Sequence, residues 1–446
     1  MLQSRLTTLI TTSRLLLIRL CVAFVLTGVT FAQTPEITLA RDAAENTATS
    51  PAIPRGIFAF VGTRGIADGD EFLANPHVAG VSLARSWADV EPQPGAYDWS
   101  VIDAWIALAA AHDKYVRLSV AGKGRDGVPP WVLDKGVQVF SWVDQNAFHS
   151  TYGEVVSAPV FWDPIYLAEK TTYIQAAGAH LTDNPHLHVV VAACVNPNSD
   201  DWFFPGQTAE EAAQWQALGY TPEKLISACK DVLDATATAF PHQAIWMPVG
   251  DTSALLDADP SVVANEIMAY AQAAYPDRVL FGNGALSTKV PDPLTTTPLP
   301  ARWQNLYDQR PYVVLQMLAA ATDTVSCRLN GQIAPCDPAT VLREAVTIGV
   351  HYETQFQEIY YADLIDPALA TVVEEMAALL ATVPTTTTPL RGDLDGDGKV
   401  TLADLRLLLS MLLGQTAVNL PAADLNGDGT LSLTDVQTLI LACMQS

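Results

Sequence analysis

"LHVVVAAC" (Leu187–Cys194) is the stretch that indicates most directly how this chain folds. Apart from one histidine it is a continuous apolar run, of a length typical of a single strand. Strands that are hydrophobic throughout occur in parallel sheets whose two faces are both covered by helices. The run therefore predicts a buried parallel strand in an α/β domain.

Seven other runs have the same character and bring the number of predicted strands to eight. They are "GIFAFV" from Gly56, "VAGVSLA" from Val78, "YVRLSV" from Tyr115, "AIWMPVG" from Ala244, "RVLFGNG" from Arg278, "PYVVLQML" from Pro311 and "AVTIGVHYE" from Ala345. Helical patterns between them begin at Trp99, Asp163, Thr221 and Asp259, and a proline follows each of the last two as it does after an N-cap residue. Eight such units in about 330 residues predict a (β/α)8 (TIM) barrel over residues 53–380. A doubly wound open sheet is the alternative, but "FVGTRG" from Phe60 is a poor match to its glycine-rich phosphate turn.

The overall charge limits the classes of partner. The 446 residues carry a formal charge of −24, and 49% of them are hydrophobic. A nucleic-acid-binding protein needs Lys and Arg to meet the phosphates, so this balance argues against that class. It fits an exported, soluble protein that holds cations.

The N-terminus predicts export. Basic Arg5, Arg14 and Arg19 precede or flank the apolar run "LCVAFVLTGV", and small residues follow at "TFA". We expect a signal peptide over residues 1–32, cleaved after Ala32, and no membrane span after cleavage. An uncleaved anchor helix is the alternative. Residues 33–52 have no periodicity and predict a disordered leader, so the mature protein is expected to be secreted.

Export to an oxidising compartment permits disulfides. "CRLNGQIAPC" (Cys327–Cys336) has Asn-Gly near its middle, so a hairpin is expected to bring its two cysteines into a disulfide. Two free thiols in a surface loop are the alternative. Cys194 lies in an apolar strand and is interpreted as a small buried hydrophobic residue rather than a nucleophile.

The end of the chain holds two copies of a twelve-residue acidic loop. Residues 381–391, "ATVPTTTTPLR", are a Pro-Thr linker, and residues 392–446 follow as a small, all-α domain. Each loop has oxygen-bearing residues at positions 1, 3, 5, 7, 9 and 12, the spacing with which calcium-binding loops surround the ion. The predicted metal ligands are Asp393, Asp395, Asp397, Lys399 (through its carbonyl), Thr401 and Asp404 in the first copy, and Asp424, Asn426, Asp428, Thr430, Ser432 and Asp435 in the second.

These loops depart from the EF-hand in having Asp at position 12 and a non-helical entry. Each is followed by an apolar helix, "LADLRLLLSMLLG" or "LTDVQTLILAC". Loop-then-helix, repeated after 31 residues, resembles the type I dockerin module. The resemblance implies two bound Ca²⁺ ions and a cohesin domain of a scaffold or cell-surface protein as partner. It places the helix residues beside the loops at the partner surface: Leu402, Ala403, Leu433 and Thr434.

The barrel region resembles glycoside hydrolases of the (β/α)8 clan of retaining glycosidases, as a divergent member. "SWADVEPQPGAYDWSVIDAWI" from Ser86 is similar to the stretch after their second strand, and "GVPPWV" from Gly127 and "APVFWDPIYLAEK" from Ala158 also match the group. In retaining members an Asn-Glu pair ends the fourth strand and a Glu ends the seventh. Here Pro197 follows Asn196, and Gln316 stands in the seventh strand. Glu91 of the first stretch is expected to be structural, and no cofactor is predicted in the barrel.

Glycoside cleavage needs two carboxylates. Asp201 beside Trp202 is our candidate for the acid, because an aromatic neighbour can raise a carboxyl pKa. Glu358 and Glu353 are the candidates for nucleophile or base, with Glu358 ranked first. Both are assigned to an eighth strand in which alternation would put them on opposite faces. An ordinary surface charge is the alternative for each of the three.

Aromatic and amide side chains are the candidates for substrate binding, since sugar rings stack on indoles and their hydroxyls bond to amides. The set is Trp87, Trp131, Trp162, Asn196, Trp202 and Gln316. Trp246 lies within a strand and is expected to be core.

The leading hypothesis is a secreted glycoside hydrolase for polysaccharide catabolism, which acts on a carbohydrate substrate and is anchored through its calcium-dependent dockerin. The alternative is a catalytically inactive barrel that binds glycan or serves as a structural subunit of a dockerin–cohesin assembly. A calcium-dependent protease has no motif in its favour.

Overall fold

The computed structural model describes residues 51–119, 127–148, 151–195, 201–206, 208–383, 392, 394, 401–413, 423–425 and 430–445. The predicted signal peptide, the leader as far as residue 50 and linker residues 384–391 lie outside the described residues. In the part of the chain that is described, no helix is both long and apolar enough to cross a membrane.

Eight parallel strands close into a barrel, which confirms the predicted fold. The described residues contain ten strands: β1 (Gly56–Gly62), β2 (Val78–Ala84), β3 (Tyr115–Ser119), β4 (Val139–Val143), β5 (Val155–Pro159), β6 (Leu187–Val191), β7 (Ala244–Pro248), β8 (Val279–Leu286), β9 (Val313–Met317) and β10 (Phe356–Tyr360). The barrel runs β1, β2, β3, β6, β7, β8, β9, β10 and back to β1. The remaining two strands, β4 and β5, pair antiparallel as a hairpin outside the ring.

Helices connect the barrel strands and cover the sheet. The longer ones are Ser100–Ala111, Pro164–Leu181, Pro222–Ala239, Val262–Ala274, Pro338–His351 and Ala370–Leu380, and the shorter ones are Glu71–Ala74, Trp87–Val90, Pro130–Leu133, Ala209–Ala217, Ala301–Tyr307 and Tyr361–Leu364. Thr221 caps its helix as predicted, since its side chain accepts from the Lys224 amide. The helix predicted to start after Asp259 begins later, at Val262, because residues 258–261 form a turn.

The barrel encloses a core of its own. Phe58, Val189, Trp246, Val314 and Phe356 belong to the apolar cluster inside the ring, whereas a larger cluster lies between the strands and the helices. The strands are therefore buried on both faces, as their continuous apolar runs predicted.

The eighth strand was assigned wrongly. Residues 345–351 belong to the helix Pro338–His351, which begins with Asp337 as N-cap and proline at its first position. Its buried residues include Val341, Ala345, Ile348 and Gly349, a helical spacing that the apolar run "AVTIGV" concealed. The strand itself is Phe356–Tyr360, so the predicted alternation that paired Glu353 and Glu358 in one strand is also wrong.

Two disulfides close loops of the barrel domain. Cys327 and Cys336 are bonded as predicted, but the segment between them forms a 3₁₀ turn, Arg328–Asn330, rather than a β-hairpin. Cys194 is buried, yet it is not a free hydrophobic residue, because it is bonded to Cys229 of the helix Pro222–Ala239. The partner lies in a different element, so no local spacing could have indicated the pair.

Among the described residues of the C-terminal segment are two helices, Leu402–Leu412 and Leu433–Gln445. They pack on each other through a small core that includes Leu408, Met411, Val436 and Leu439. Each begins at the tenth position of its acidic loop, so the order of loop and then helix is the one predicted from the repeat.

Candidate functional site

The loops at the carboxyl ends of the parallel strands meet at one mouth of the barrel, where active sites of such folds lie. Three of these loops carry the candidate residues. The loop after β3 contains the β4–β5 hairpin, the loop after β6 contains Asp201, and the loop after β9 contains the Cys327–Cys336 disulfide.

Asp201 reaches across the mouth from the β6 loop to β8. Its Oδ1 accepts hydrogen bonds from the amides of Gly284 at 3.1 Å and of Trp202 at 2.8 Å. A Cβ on Gly284 would lie 2.7 Å from Asp201 Oδ2, so only glycine leaves room for this carboxylate. The two amide donors hold the Asp201 carboxylate in place.

Gln316 flanks the same point. A Gly284 Cβ would lie 3.4 Å from Gln316 Nε2, so the amide from β9 and the Asp201 carboxylate from the β6 loop approach one position. Gln316 is only 8% exposed, and no described residue donates a hydrogen bond to its Oε1. That oxygen is itself buried.

Glu358 is opposite Gln316 in the register of the two neighbouring strands, and its side chain contacts Arg117. Its Oε1 lies 3.2 Å from Arg117 Nε of β3 and accepts a hydrogen bond from Ser82 of β2. The guanidinium of Arg117 also lies over the Trp246 ring, 4.1 Å from its centroid. Both charged side chains are 0% exposed, so Glu358 is half of an ion pair enclosed in the barrel.

Glu353 lies away from the mouth. It has a left-handed backbone conformation (φ 54°) in the turn that precedes β10, at the amino end of the strand. Its carboxylate is paired with Arg310 at 3.3 Å. The prediction of Glu353 as nucleophile or base is therefore wrong in placement, because the strand that was to carry it to the mouth begins three residues later.

Trp87 belongs to the core rather than to a sugar-binding surface. It is 1% exposed, its ring stacks on Tyr173 with centroids 5.0 Å apart, and its Nε1 donates to Glu91 Oε2 at 2.6 Å. Glu91 also accepts from the Gly95 amide at 2.7 Å, which is the structural role expected of it. The Glu91 side chain thus stabilises the segment from Trp87 to Gly95 that follows β2.

The other predicted tryptophans are half-buried and separate. Trp131 donates to the Glu91 carbonyl oxygen at 3.1 Å, and Trp162 packs on Trp215 with centroids 5.4 Å apart. Trp202 donates to the Asp251 carbonyl oxygen at 2.8 Å and packs against Gly250 after β7. Trp202 is the one that adjoins Asp201, and Asn196 lies outside the described residues. Trp246 is fully buried, as predicted.

Three buried charged residues near the site were missed in the sequence. Arg117 interrupts the apolar run "YVRLSV", and this lone arginine was the available signal for a buried ion pair. Asp363 accepts from the amides of Ala321 and Thr322 at 2.8 and 2.9 Å, and so fixes the loop after β9; burial raises the pKa of its carboxyl. Lys170 donates to the Ala193 carbonyl oxygen at 2.6 Å, just after β6.

The acidic loops close in the same way in both repeats. Asp404 accepts from the amides of Leu394 and Thr401, both at 2.7 Å, and Asp435 accepts from those of Leu425 and Ser432, both at 2.8 Å. Position 12 thus draws positions 2 and 9 together, a closure that fits a loop folded around a cation. Asp393, Asp395, Asp397, Lys399, Asn426 and Asp428 lie outside the described residues.

Comparison with known proteins yields two family matches. Residues 68–192 match the family model described as β-galactosidase, and residues 391–442 match the dockerin type I domain. The chain therefore contains a glycoside hydrolase domain and, at its C-terminus, a dockerin. No curated protein matches the sequence.

Several solved structures are similar to the chain. One is the catalytic domain of a β-amylase from Paenibacillus polymyxa, with 9% identity, coverage of 74% of this chain and 100% of that chain, and a TM-score of 0.48. Another is a β-galactosidase from the psychrophilic Marinomonas ef1, with 11% identity, coverage of 83% and 61%, and a TM-score of 0.45. A third is a psychrophilic family 10 endo-β-1,4-xylanase, with 12% identity, coverage of 69% and 86%, and a TM-score of 0.39.

Proposed function

We propose that this protein is a secreted glycoside hydrolase that cleaves O-glycosidic bonds of a polysaccharide or oligosaccharide at the barrel mouth. Its dockerin, loaded with two calcium ions, attaches it to a cohesin on a scaffold or cell surface. The family matches over residues 68–192 and 391–442 support the reaction class and the attachment. The observation that carries the site is the approach of Asp201 and Gln316 to one point above Gly284.

Asp201 is the catalytic carboxylate of this proposal. Two backbone amides hold its Oδ1 in place and so fix the direction of the carboxylate at the mouth. Gln316 lies beside it, and its amide group holds the sugar over the carboxylate. The two residues would thus position and attack the same ring.

The experiment is a cleavage screen with the full-length protein on aryl glycosides and on galacto-, gluco- and xylo-oligosaccharides. Asp201→Asn keeps the shape of the side chain and removes its charge, and should lower kcat by at least about 100-fold. Asp103→Asn is the matched control, because Asp103 lies on the outer helix Ser100–Ala111 and bonds to His180. Full activity of Asp201→Asn would refute the assignment of this residue.

A second candidate function, glycan binding without cleavage, is favoured by the position of Glu358. A carboxylate that is enclosed with Arg117 cannot reach a substrate, and Gln316 replaces the carboxylate that the resemblance expects in the seventh strand. This candidate predicts that the wild-type protein binds oligosaccharides from the same panel and cleaves none of them. Gln316→Glu would then test whether a restored carboxylate produces activity.

The dockerin surface has the exposure that docking needs. Leu433 is 67% exposed at the start of its helix, and Ala403 and Thr434 are also exposed. These residues lie at the helix starts beside the loops, where the resemblance to type I dockerins places the partner surface. We assign the cohesin contact to these residues, and the calcium dependence of docking is the test described in the Discussion.

A further inference from the structure

The β4–β5 hairpin crosses the mouth of the barrel. It follows β3, and its tip residue Phe148 packs against Arg328 in the loop after β9, with the guanidinium carbon 4.3 Å from the ring centroid. β3 and β9 are four places apart in the ring of eight strands, so they lie on opposite sides. Arg328 sits within the loop closed by the Cys327–Cys336 disulfide, which gives the hairpin tip a fixed support.

One face of the hairpin is anchored in a buried aromatic cluster. Phe140 of β4 stacks on Trp215 with ring centroids 3.9 Å apart, and the Ser141 amide donates to Gln214 Oε1 at 3.1 Å. Trp142, two residues along the same strand, is on the same face as Phe140 but is only half-buried. The hairpin therefore holds Trp142 rigidly at the edge of the cluster.

The side chains of Asp201 and of the three residues that follow it contact four different parts of the barrel domain. Asp201 bonds to Gly284, Trp202 packs on Gly250, and Phe204 is buried against Trp215 with centroids 5.0 Å apart. Phe203 instead approaches Trp142, with ring centroids 6.0 Å apart, and stays 42% exposed. Phe203 and Trp142 are therefore in contact between the fixed hairpin and the candidate catalytic loop, and Phe203 is open to solvent there.

We propose that Phe203 and Trp142 form an aromatic platform that stacks on a sugar unit of the bound carbohydrate chain. The platform rests on the proposed carbohydrate function and adds a binding subsite to it. Phe203 follows Asp201 by two residues, so their Cα atoms are at most about 7 Å apart. The platform thus meets a unit adjacent to the one over Asp201, and it selects for chains over single sugars.

The test measures binding separately from cleavage. The protein is the full-length Asp201→Asn variant, and the probes are galacto-, gluco- and xylo-oligosaccharides of one to five units, titrated in a calorimeter. Phe203→Leu keeps the bulk of the side chain and removes the ring, whereas Phe203→Tyr keeps the ring. Val155→Ser on the outer face of the hairpin, 67% exposed, is the matched control.

Phe203→Leu should weaken binding of chains of three or more units about tenfold, which corresponds to about 1.4 kcal/mol, and should leave binding of single sugars unchanged. Phe203→Tyr and Val155→Ser should bind as the parent does. In the protein with Asp201 intact, Phe203→Leu should raise KM for the longer chains and leave kcat unchanged. An equal unfolding midpoint for all variants shows that none of these effects comes from misfolding.

The outcomes separate the platform from the proposed function. If Phe203→Leu binds every chain as the parent does, or loses affinity equally for all lengths, the platform is refuted and the cleavage result stands. If the parent binds no probe, the platform is refuted as well. If the wild-type protein in addition cleaves nothing, the proposed function fails with it.

Discussion

The ion pair between Arg117 and Glu358 makes a sharp prediction about stability. Both side chains are 0% exposed, and the pair is completed by the Ser82 hydroxyl and the Trp246 ring. Glu358→Gln keeps the size and part of the hydrogen bonding of the side chain but removes the carboxylate charge that lies 3.2 Å from Arg117 Nε inside the barrel. Breaking a buried ion pair by removing one partner typically costs about 3–5 kcal/mol.

The expected change in Tm follows from this loss of unfolding free energy and from the size of the barrel domain. At about 2.1 cal/mol/K per residue, a domain of about 330 residues has an unfolding entropy for which 3–5 kcal/mol lowers Tm by about 4–7 °C. Tryptophan fluorescence of the full-length protein is a selective assay, because all ten tryptophans lie between Trp87 and Trp303 and the dockerin has none. The measurement therefore reports on the barrel alone.

A double substitution provides the control. Replacing both partners, as in Arg117→Met with Glu358→Leu, removes the two charges together and should recover most of the lost stability. Arg117→Met alone should be as damaging as Glu358→Gln, since it leaves the carboxylate buried. A Glu358→Gln protein that melts with the wild type, or a double variant no better than the singles, would refute the claim that the two groups are enclosed as a pair.

Three further predictions concern pH, disulfides and metal. Burial lowers the pKa of Lys170 from 10.5 to about 7, so between pH 7 and about 10 the unfolded chain binds a proton that the folded one does not. The unfolding free energy of the wild type should therefore rise with pH in this window relative to that of Lys170→Met. Parallel pH profiles of the two proteins would contradict this. Replacing Cys194 and Cys229 by Ala should cost about 4 kcal/mol, against about 2.5 kcal/mol for the shorter Cys327–Cys336 loop, as measured by denaturant unfolding; equal losses would contradict the loop-length reasoning. Chelator should abolish the helical circular dichroism of the dockerin and its cohesin binding while the tryptophan signal persists, because ligand carboxylates repel one another without calcium; retained docking in excess chelator would contradict it.

Much of the barrel could be predicted because its strands are locally distinctive. Seven of the eight runs, from "GIFAFV" to "PYVVLQML", are strands in the structure. A short, continuously apolar segment between two helices is typical of a strand that is buried on both faces. The eighth strand is different, because "FQEIY" carries Gln357 and Glu358 at buried positions. A charged residue such as Glu358 can be buried in the barrel only when a partner is buried with it. That partner is Arg117 of β3, which is far away in the sequence.

The candidate site was harder to predict than the fold for the same reason. Trp87 and Phe203 are both aromatic residues in loops after strands, but one is packed on Tyr173 and the other is exposed beside the hairpin. The local sequences do not distinguish the two cases, because the surroundings of Phe203 depend on the β4–β5 hairpin, which comes from the distant loop after β3. The acidic loops were predictable because all their ligands lie within twelve consecutive residues.

The choice between cleavage and binding depends on a second carboxylate. Glycoside hydrolysis needs two. Among Asp201, Glu358 and Asp363, Asp201 alone is partly exposed, whereas Glu358 is enclosed with Arg117 and Asp363 is fully buried. Asp200, immediately before Asp201 in the sequence, is the nearest residue of the right type. If the protein cleaves glycans, Asp200→Asn and Asp201→Asn should therefore both abolish cleavage and keep binding. If Asp200→Asn is fully active, the second carboxylate comes from elsewhere in the chain.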